Sequence, residues 1–333
     1  MVKVVRFHEP GGPEVLRIED LPPRDPGPGE VRLRVEAIGL NRAEVLFRSG
    51  QYLEAATYPA RIGYEAAGIV DAVGDGVESL RPGDVVSVVP AFSMNEYGVY
   101  GEQATVPARA VVKTPPGVSP VEAAALWMQY LTAYGALIEL GGLAAGDVVV
   151  IPAASSSVGL AAIQIARLVG ATPIATTRTG AKKQALFDAG APHVIATQEE
   201  DLVSEVMRLT HGQGARLVFD PVAGPYVETL ADATAKGGTI FLYGILSLQP
   251  TPFPLFKALS KGLVLRGYTL FEITSDPERL SRGVAFVTQG LTEGALKPII
   301  ARIFPLGEIV EAHRFMESNE QIGKIVVTVE REA

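Results

Sequence analysis

Two rhythms divide the chain. Up to about residue 124 apolar and polar positions alternate in short runs: Val2–Phe7 weakly, and Glu30–Leu40 (EVRLRVEAIGL) as a half-buried strand should. Pro22–Gly29 (PPRDPGPG) is a turn-rich connector between them. Asn41–Ser49 predicts a short helix ending near Gly50, and Ser49–Tyr58 reads as a mobile loop. Tyr64–Val73 and Asp84–Val89 are further strands, parted by the turn segments DGVES and RPGD. Irregular spacing and many Gly/Pro breaks point to a partly open β-barrel.

From about residue 125 the pattern becomes strand, helix, strand, as in βαβ units and a doubly wound parallel sheet. The predicted strands are Val148–Ile151, Pro173–Thr177, His193–Ala196, Arg216–Asp220, Thr239–Tyr243 and Val264–Tyr268. Helical segments at Lys182–Ala189, Asp201–Thr210, Tyr226–Ala235 and Pro254–Lys261 separate them. Six strands fill a dinucleotide-binding sheet. The remaining elements are a helix around Asp276–Gln289, the short stretch Arg302–Pro305, a helix from Gly307 to Glu317 and the strand-like Lys324–Glu330. The domains are therefore expected at 1–124 with 270–333, and at 125–269.

The stretch Asp147–Gly170 carries the first candidate chemistry. An apolar β-branched run (DVVVIP) leads through small residues into a helix whose Val158, Ala161, Ala162, Ile165 and Leu168 share a face. Free N–H groups at the helix start, with its dipole, make an anion site there. Against the six-residue fingerprint G-x-G-x-x-G, the chain reads Ala154-Ser155-Ser156-Ser157-Val158-Gly159, so only the third glycine is kept. A plain packing turn is the alternative reading. About twenty residues on, where such folds place an acid for the adenosine ribose, the chain has Thr176-Thr177-Arg178 followed by Lys182 and Lys183. Arg178 and Lys182 suit a 2′-phosphate, so NADPH is expected over NADH; a solvated basic surface is the alternative.

Bulk composition narrows the rest. The 333 residues are 47% hydrophobic and 20% charged, with net charge −8 and no basic block, so a nucleic-acid or anionic-membrane partner lacks its electrostatic footprint. No apolar run reaches spanning length and the start lacks a signal-peptide core, so a cytoplasmic protein is expected. There is no cysteine, and the four histidines are scattered, which predicts no metal site.

The chain resembles the medium-chain dehydrogenase/reductase superfamily, in its zinc-free quinone oxidoreductase (zeta-crystallin-like) branch. The resemblance rests on VRFHEPGGPEVL near the start, GLNRAEVLFRSGQY at 39–52, GYEAAGIVDAVGDGV at 63–77 and RPGDVV at 81–86. YGEQATVPA at 100–108, QYLTAYGAL at 129–137, AASSSVG at 153–159 and HRFMESNEQIGKIVVTV at 313–329 extend it over nearly the whole chain. It implies an α/β protein: a GroES-like partly open barrel plus a Rossmann domain with a doubly wound, parallel six-stranded sheet. Where zinc alcohol dehydrogenases carry a ligand Cys and the His of a G-H-E motif, this chain has Ile38-Gly39-Leu40 and Gly63-Tyr64-Glu65. Ala91–Gly101 replaces their structural-zinc lobe.

The resemblance implies an NADPH-dependent, metal-free reductase of quinones or other α,β-unsaturated carbonyl compounds. A 2-alkenal or enoyl-thioester reductase and a non-catalytic NADPH-binding protein remain alternatives. Without zinc something else must polarise a carbonyl or donate a proton, and Tyr52, eleven residues after Asn41, is the candidate, with apolar capping as its other reading. Asn41 orients substrate or caps the helix after it. Tyr64 lines the same cleft. Leu46 stands where quinone reductases often have another Tyr. The cofactor candidates are Thr132, Ser155, Ser156, Ser157, Val158, Gly159, Thr177, Arg178, Lys182, Tyr243 and Gly244, with Asp220 organising the rim. Lys324 matches a basic residue near the cofactor, or is an exposed strand lysine. A homodimer is expected, because Val264–Tyr268 reads as an apolar edge strand that needs covering.

Overall fold

The structure is a computed structural model and describes residues 1–330. By its internal contacts the chain forms two compact units: Met1–Met128 with the segment from Pro298 onward, and Gln129–Lys297. The sequence pattern drew the second unit as 125–269; the stretch from Tyr268 through the helix Pro277–Thr292 packs with it as well. Two side-chain contacts make the link, since Arg282 pairs with Glu139 and Gly283 lies against Leu131 and Tyr134.

The first unit is organised around the strand Glu30–Gly39, whose buried positions alternate along its first half and run together at its end. It pairs antiparallel with Glu65–Val73, Gln103–Pro107 and Lys324–Thr328. Register shifts at Arg32/Leu33 and Val35/Ala37 bend it, as bulges do, so that one strand serves three partners. Ile300–Pro305, Val85–Val88 and Val111–Lys113 complete a seven-stranded sheet, and Arg17–Leu21, Val2–Phe7 and Ala60–Arg61 form a smaller one. Gly68 stands where an added Cβ would come within 2.0 Å of the Arg34 carbonyl oxygen, so the close pairing needs glycine. A small core of Ala37, Ala67, Ala123, Ala124, Ala125 and Val326 seats the helix Pro120–Ala123 against this sheet.

The second unit is the doubly wound sheet. Its six strands are all parallel, in the order His193–Ala196, Thr172–Thr177, Val148–Ile151, Ala215–Asp220, Thr234–Leu242, Val264–Gly267. Val149, Val150 and Ile151 are fully buried, as a central parallel strand covered on both faces requires. The helix Ser157–Leu168 turns Leu160, Ala161, Ala162, Ile163, Ile165 and Ala166 inward.

Candidate active site

In the second unit the site begins where Val148–Ile151 ends. Ala153 takes φ +47°, a left-handed conformation uncommon outside glycine, and reverses the chain. Ser156 then caps the helix, its Oγ accepting from the Gly159 N–H at 3.1 Å. A Cβ on Gly159 would fall 2.6 Å from the Ala154 Cα, so the one retained fingerprint glycine is the one that lets helix and strand approach. The first-turn N–H groups of Ser157 and Val158 lie beyond reach of intrahelical acceptors, and the serine hydroxyls stand beside them half-buried. A helix start of this kind, here called the cradle, is able to hold an anion.

The next strand delivers Thr177 half-buried and Arg178 exposed. Among the described residues the Arg178 guanidinium has no ion-pair or hydrogen-bond partner. Lys182 reaches back to the cradle, its Nζ 3.4 Å from Ser155 Oγ. Lys183 does not join them, because its ammonium is paired with Glu200.

Two further strand ends close this side. Asp220 is buried and its two oxygens accept from the N–H groups of Val222 (2.8 Å) and Ala223 (3.0 Å), while burial raises its pKa to about 6. Tyr243 stacks on Phe219 at 3.9 Å, and its buried hydroxyl has no partner among the described residues. Gly244 runs past the Pro221 carbonyl, which a Cβ would meet at 2.6 Å. Thr132 lies buried in Trp127–Tyr134.

The first unit holds a second constellation. Asn41 starts the helix Arg42–Arg48, yet its side-chain oxygen accepts from Lys324 Nζ at 2.5 Å, and its amide donates to the Gly39 carbonyl at 3.1 Å. The capping is done by Glu44, whose carboxylate accepts from the Asn41 N–H at 2.6 Å. Glu44 also accepts from the Tyr64 N–H at 3.0 Å and the Tyr100 hydroxyl at 2.7 Å, and burial raises its pKa. Glu44 and Tyr100 escaped the sequence reading; the readable signal was the spacing Asn41-x-x-Glu44 at a helix start. Lys324 is not an exposed strand lysine: its ammonium is fully buried between Asn41 and Glu65.

Tyr52 and Tyr64 meet here, hydroxyls 3.5 Å apart, at the long limit of a hydrogen bond. Tyr52 sits edge-on to Phe47, and Tyr64 packs against Phe92. Desolvation raises both phenol pKa values above the ordinary range, so both stay protonated at neutral pH.

Residues 27–116 match the alcohol dehydrogenase GroES-like domain family and residues 157–289 the zinc-binding dehydrogenase family. The chain is 33% identical to a quinone oxidoreductase of Pseudomonas aeruginosa, covering 98% of this chain and 99% of that one. It belongs to the medium-chain dehydrogenase/reductase superfamily, in its quinone oxidoreductase branch. The synaptic vesicle membrane protein VAT-1 homolog of Rattus norvegicus is 31% identical over 95% of this chain and 81% of its own. Among solved structures, the Escherichia coli quinone oxidoreductase complexed with NADPH superposes with TM-score 0.92 at 30% identity, covering 98% and 99% of the two chains.

Within that superfamily the zinc site depends on ligands this chain does not provide. Tyr64 replaces the G-H-E histidine, and there is no cysteine. Glu65 spends one oxygen on the N–H groups of Trp127 (2.6 Å) and Met128 (3.2 Å) and the other on the Lys324 ammonium. A fixed cation therefore already sits on the carboxylate, and zinc does not fit. Among the described residues no three His, Cys, Asp or Glu side chains are grouped to hold a metal.

Proposed function

We propose that the protein is a metal-free, NADPH-dependent oxidoreductase that reduces quinones or other α,β-unsaturated carbonyl compounds. The observation that carries the cofactor choice is Arg178, an exposed guanidinium with no partner among the described residues, at the end of the strand next to the cradle. The fit is chemical as well as positional. The N–H groups and hydroxyls of Ser155–Gly159 would hold the pyrophosphate, and Arg178 with Lys182 the 2′-phosphate. Thr177 would border the ribose, while Thr132, Tyr243 and Gly244 would border the rest. When bound, the dinucleotide supplies the hydride.

The chain supplies the proton and the orientation. Reduction of a quinone or enone builds negative charge on oxygen, and a protonated phenol donates to it. Tyr52 is that donor, with the Tyr64 hydroxyl behind it. Asn41 keeps its amide fixed because Lys324 and the Gly39 carbonyl hold its two ends. Lys324 thus serves the site through Asn41 and Glu65.

The test is a panel of quinones, 2-alkenals and enoyl thioesters, following NADPH absorbance. Oxidation with quinones and enals supports the reading, and turnover of enoyl thioesters alone moves the substrate class. Tight NADPH binding with no turnover on any compound overturns it in favour of a binding protein.

We further propose a cytoplasmic homodimer. Val264–Gly267 is the outer strand of the sheet; Val264 on it and Phe253, Phe256 and Leu259 in the chain just before it are exposed, Phe256 by 86%. An uncovered strand with large apolar neighbours favours a second copy. A monomer by light scattering at micromolar concentration would refute the dimer, and cell fractionation tests the location. No described helix is long and apolar enough to cross a membrane.

A further inference from the structure

Tyr52 stands on a segment with little structure of its own. Residues 51–57 have no helix or strand, and Leu53, next to Tyr52, is 77% exposed. Such a stretch by itself would leave a proton donor wandering. Yet it is tied, two to five residues past Tyr52, to one short piece of chain. The Glu54 carboxylate accepts from Ser93 Oγ at 2.6 Å, from the Met94 N–H at 3.2 Å and from Asn95 Nδ2 at 3.4 Å. Asn95 then grips the backbone from both sides, donating to the Ala55 carbonyl at 2.9 Å and accepting from the Thr57 N–H at 2.7 Å. Ser93 Oγ also accepts from the Asn95 N–H at 3.1 Å, which ties the gripping residues to one another.

The same short piece touches the other tyrosine. Phe92 packs on the Tyr64 ring at 5.9 Å, and Tyr64 packs on Tyr52 at 6.4 Å. One segment, 92–95, therefore fixes the loop that bears Tyr52 and the ring against which Tyr52 leans. It belongs to the stretch Ala91–Gly101, which stands where zinc relatives carry a structural-metal lobe.

We propose that Ser93, Met94 and Asn95, closing on Glu54, Ala55 and Thr57, form a clamp that sets the position of the Tyr52 hydroxyl, with Glu54 and Asn95 as positioning residues. This rests on the reading of Tyr52 as proton donor. Hydrogen bonds to a carboxylate are stronger than neutral ones, and five hydrogen bonds on three loop residues restrict a loop that has no core to hold it. Small displacements of a donor cost rate steeply, so the clamp acts on the chemical step and not on cofactor binding.

Four variants test it: Glu54→Ala, Glu54→Gln, Asn95→Ala and Tyr52→Phe, the alanine variants also combined with Tyr52→Phe, with kinetics on a quinone and amide hydrogen exchange of residues 51–57. The clamp predicts that Glu54→Ala and Asn95→Ala speed exchange at Tyr52–Thr57 and lower kcat roughly tenfold or more, with KM for NADPH unchanged. Glu54→Gln, which keeps an oxygen acceptor, should lie between native and Glu54→Ala. In the Tyr52→Phe background neither alanine should lower kcat further, because the group they position is gone. Unchanged exchange in both alanine variants overturns the clamp, as does a kcat loss that recurs in full without the Tyr52 hydroxyl. Tyr52→Phe alone judges the underlying reading: if it keeps native kcat, the donor role falls, and the clamp then stands or falls on exchange.

Discussion

The Nζ atom of Lys324 lies 2.6 Å from Oε2 of Glu65, and neither side chain has any solvent exposure. A strand from the C-terminal end of the chain thus places a cation on the carboxylate of a strand more than two hundred residues earlier. That carboxylate also receives the N–H groups that open the helix Trp127–Tyr134.

Lys324→Met should therefore be costly out of proportion to its size. It leaves Glu65 buried with its charge uncompensated, a situation that costs about 3–5 kcal/mol. Urea unfolding should show a lower midpoint, and adding Glu65→Gln should recover a large part of the loss. If Lys324→Met is within about 1 kcal/mol of native by linear extrapolation, the pair is not a structural unit.

Arg178→Ala should raise KM for NADPH at least tenfold and leave NADH kinetics nearly unchanged, a step of about 1.4 kcal/mol. The reason is that only the 2′-phosphate gives the guanidinium something to bind. Steady-state kinetics with both dinucleotides checks it, and equal use of NADH and NADPH by the native protein would show the basic end to be mere surface.

Tyr52→Phe keeps the ring contacts with Phe47 and Tyr64 and deletes one hydroxyl. As the proton donor its loss should lower kcat roughly 10²-fold, with NADPH affinity unchanged by direct titration. Tyr64→Phe should cost less, since that hydroxyl stands behind Tyr52. A Tyr52→Phe rate within a factor of about three on every substrate would make water the donor.

His313 links stability to pH. It is wholly buried beside the Tyr100 ring, and neither ring nitrogen has a partner among the described residues. Burial first, then Arg48 and Arg42, lowers its pKa from 6.5 to about 3. The unfolded chain therefore binds more protons than the folded one between those values. Its contribution is intact above about pH 6.5 and is lost as the pH falls toward 3. His313→Leu should flatten the stability profile across that window relative to native; parallel profiles would show that His313 does not titrate with unfolding.

From Val148 on, the order of strands and helices was legible because burial writes itself locally. A strand covered on both faces has to be apolar at every position, and Val148–Ile151 shows it. The turn before the helix Ser157–Leu168 was legible because one position, Gly159, tolerates no Cβ, and a missing acid beside Arg178 is visible without coordinates. The segment Ser49–Tyr58 was read as loose because its own residues offer it no core. Glu54 and Asn95 supply the restraint from opposite sides of the turn and strand residues between them, a pairing no periodicity reveals.

The fate of Lys324 separates the two levels most clearly. In sequence it is a lysine at the head of an apolar strand, as well suited to solvent as to a place near the cofactor. Whether its charge is solvated, paired or offered to a ligand depends on which strand lies next to it. Antiparallel pairing of Val326 and Val327 with Gly39 and Ile38 carries Lys324 to the end of Glu30–Gly39, beside Asn41 and Glu65. Hydrophobic pattern, turn chemistry and residue size are properties of neighbours along the chain and can be read there. A buried charge is stable only through partners at a distance in sequence, so tertiary pairing alone decides what it does.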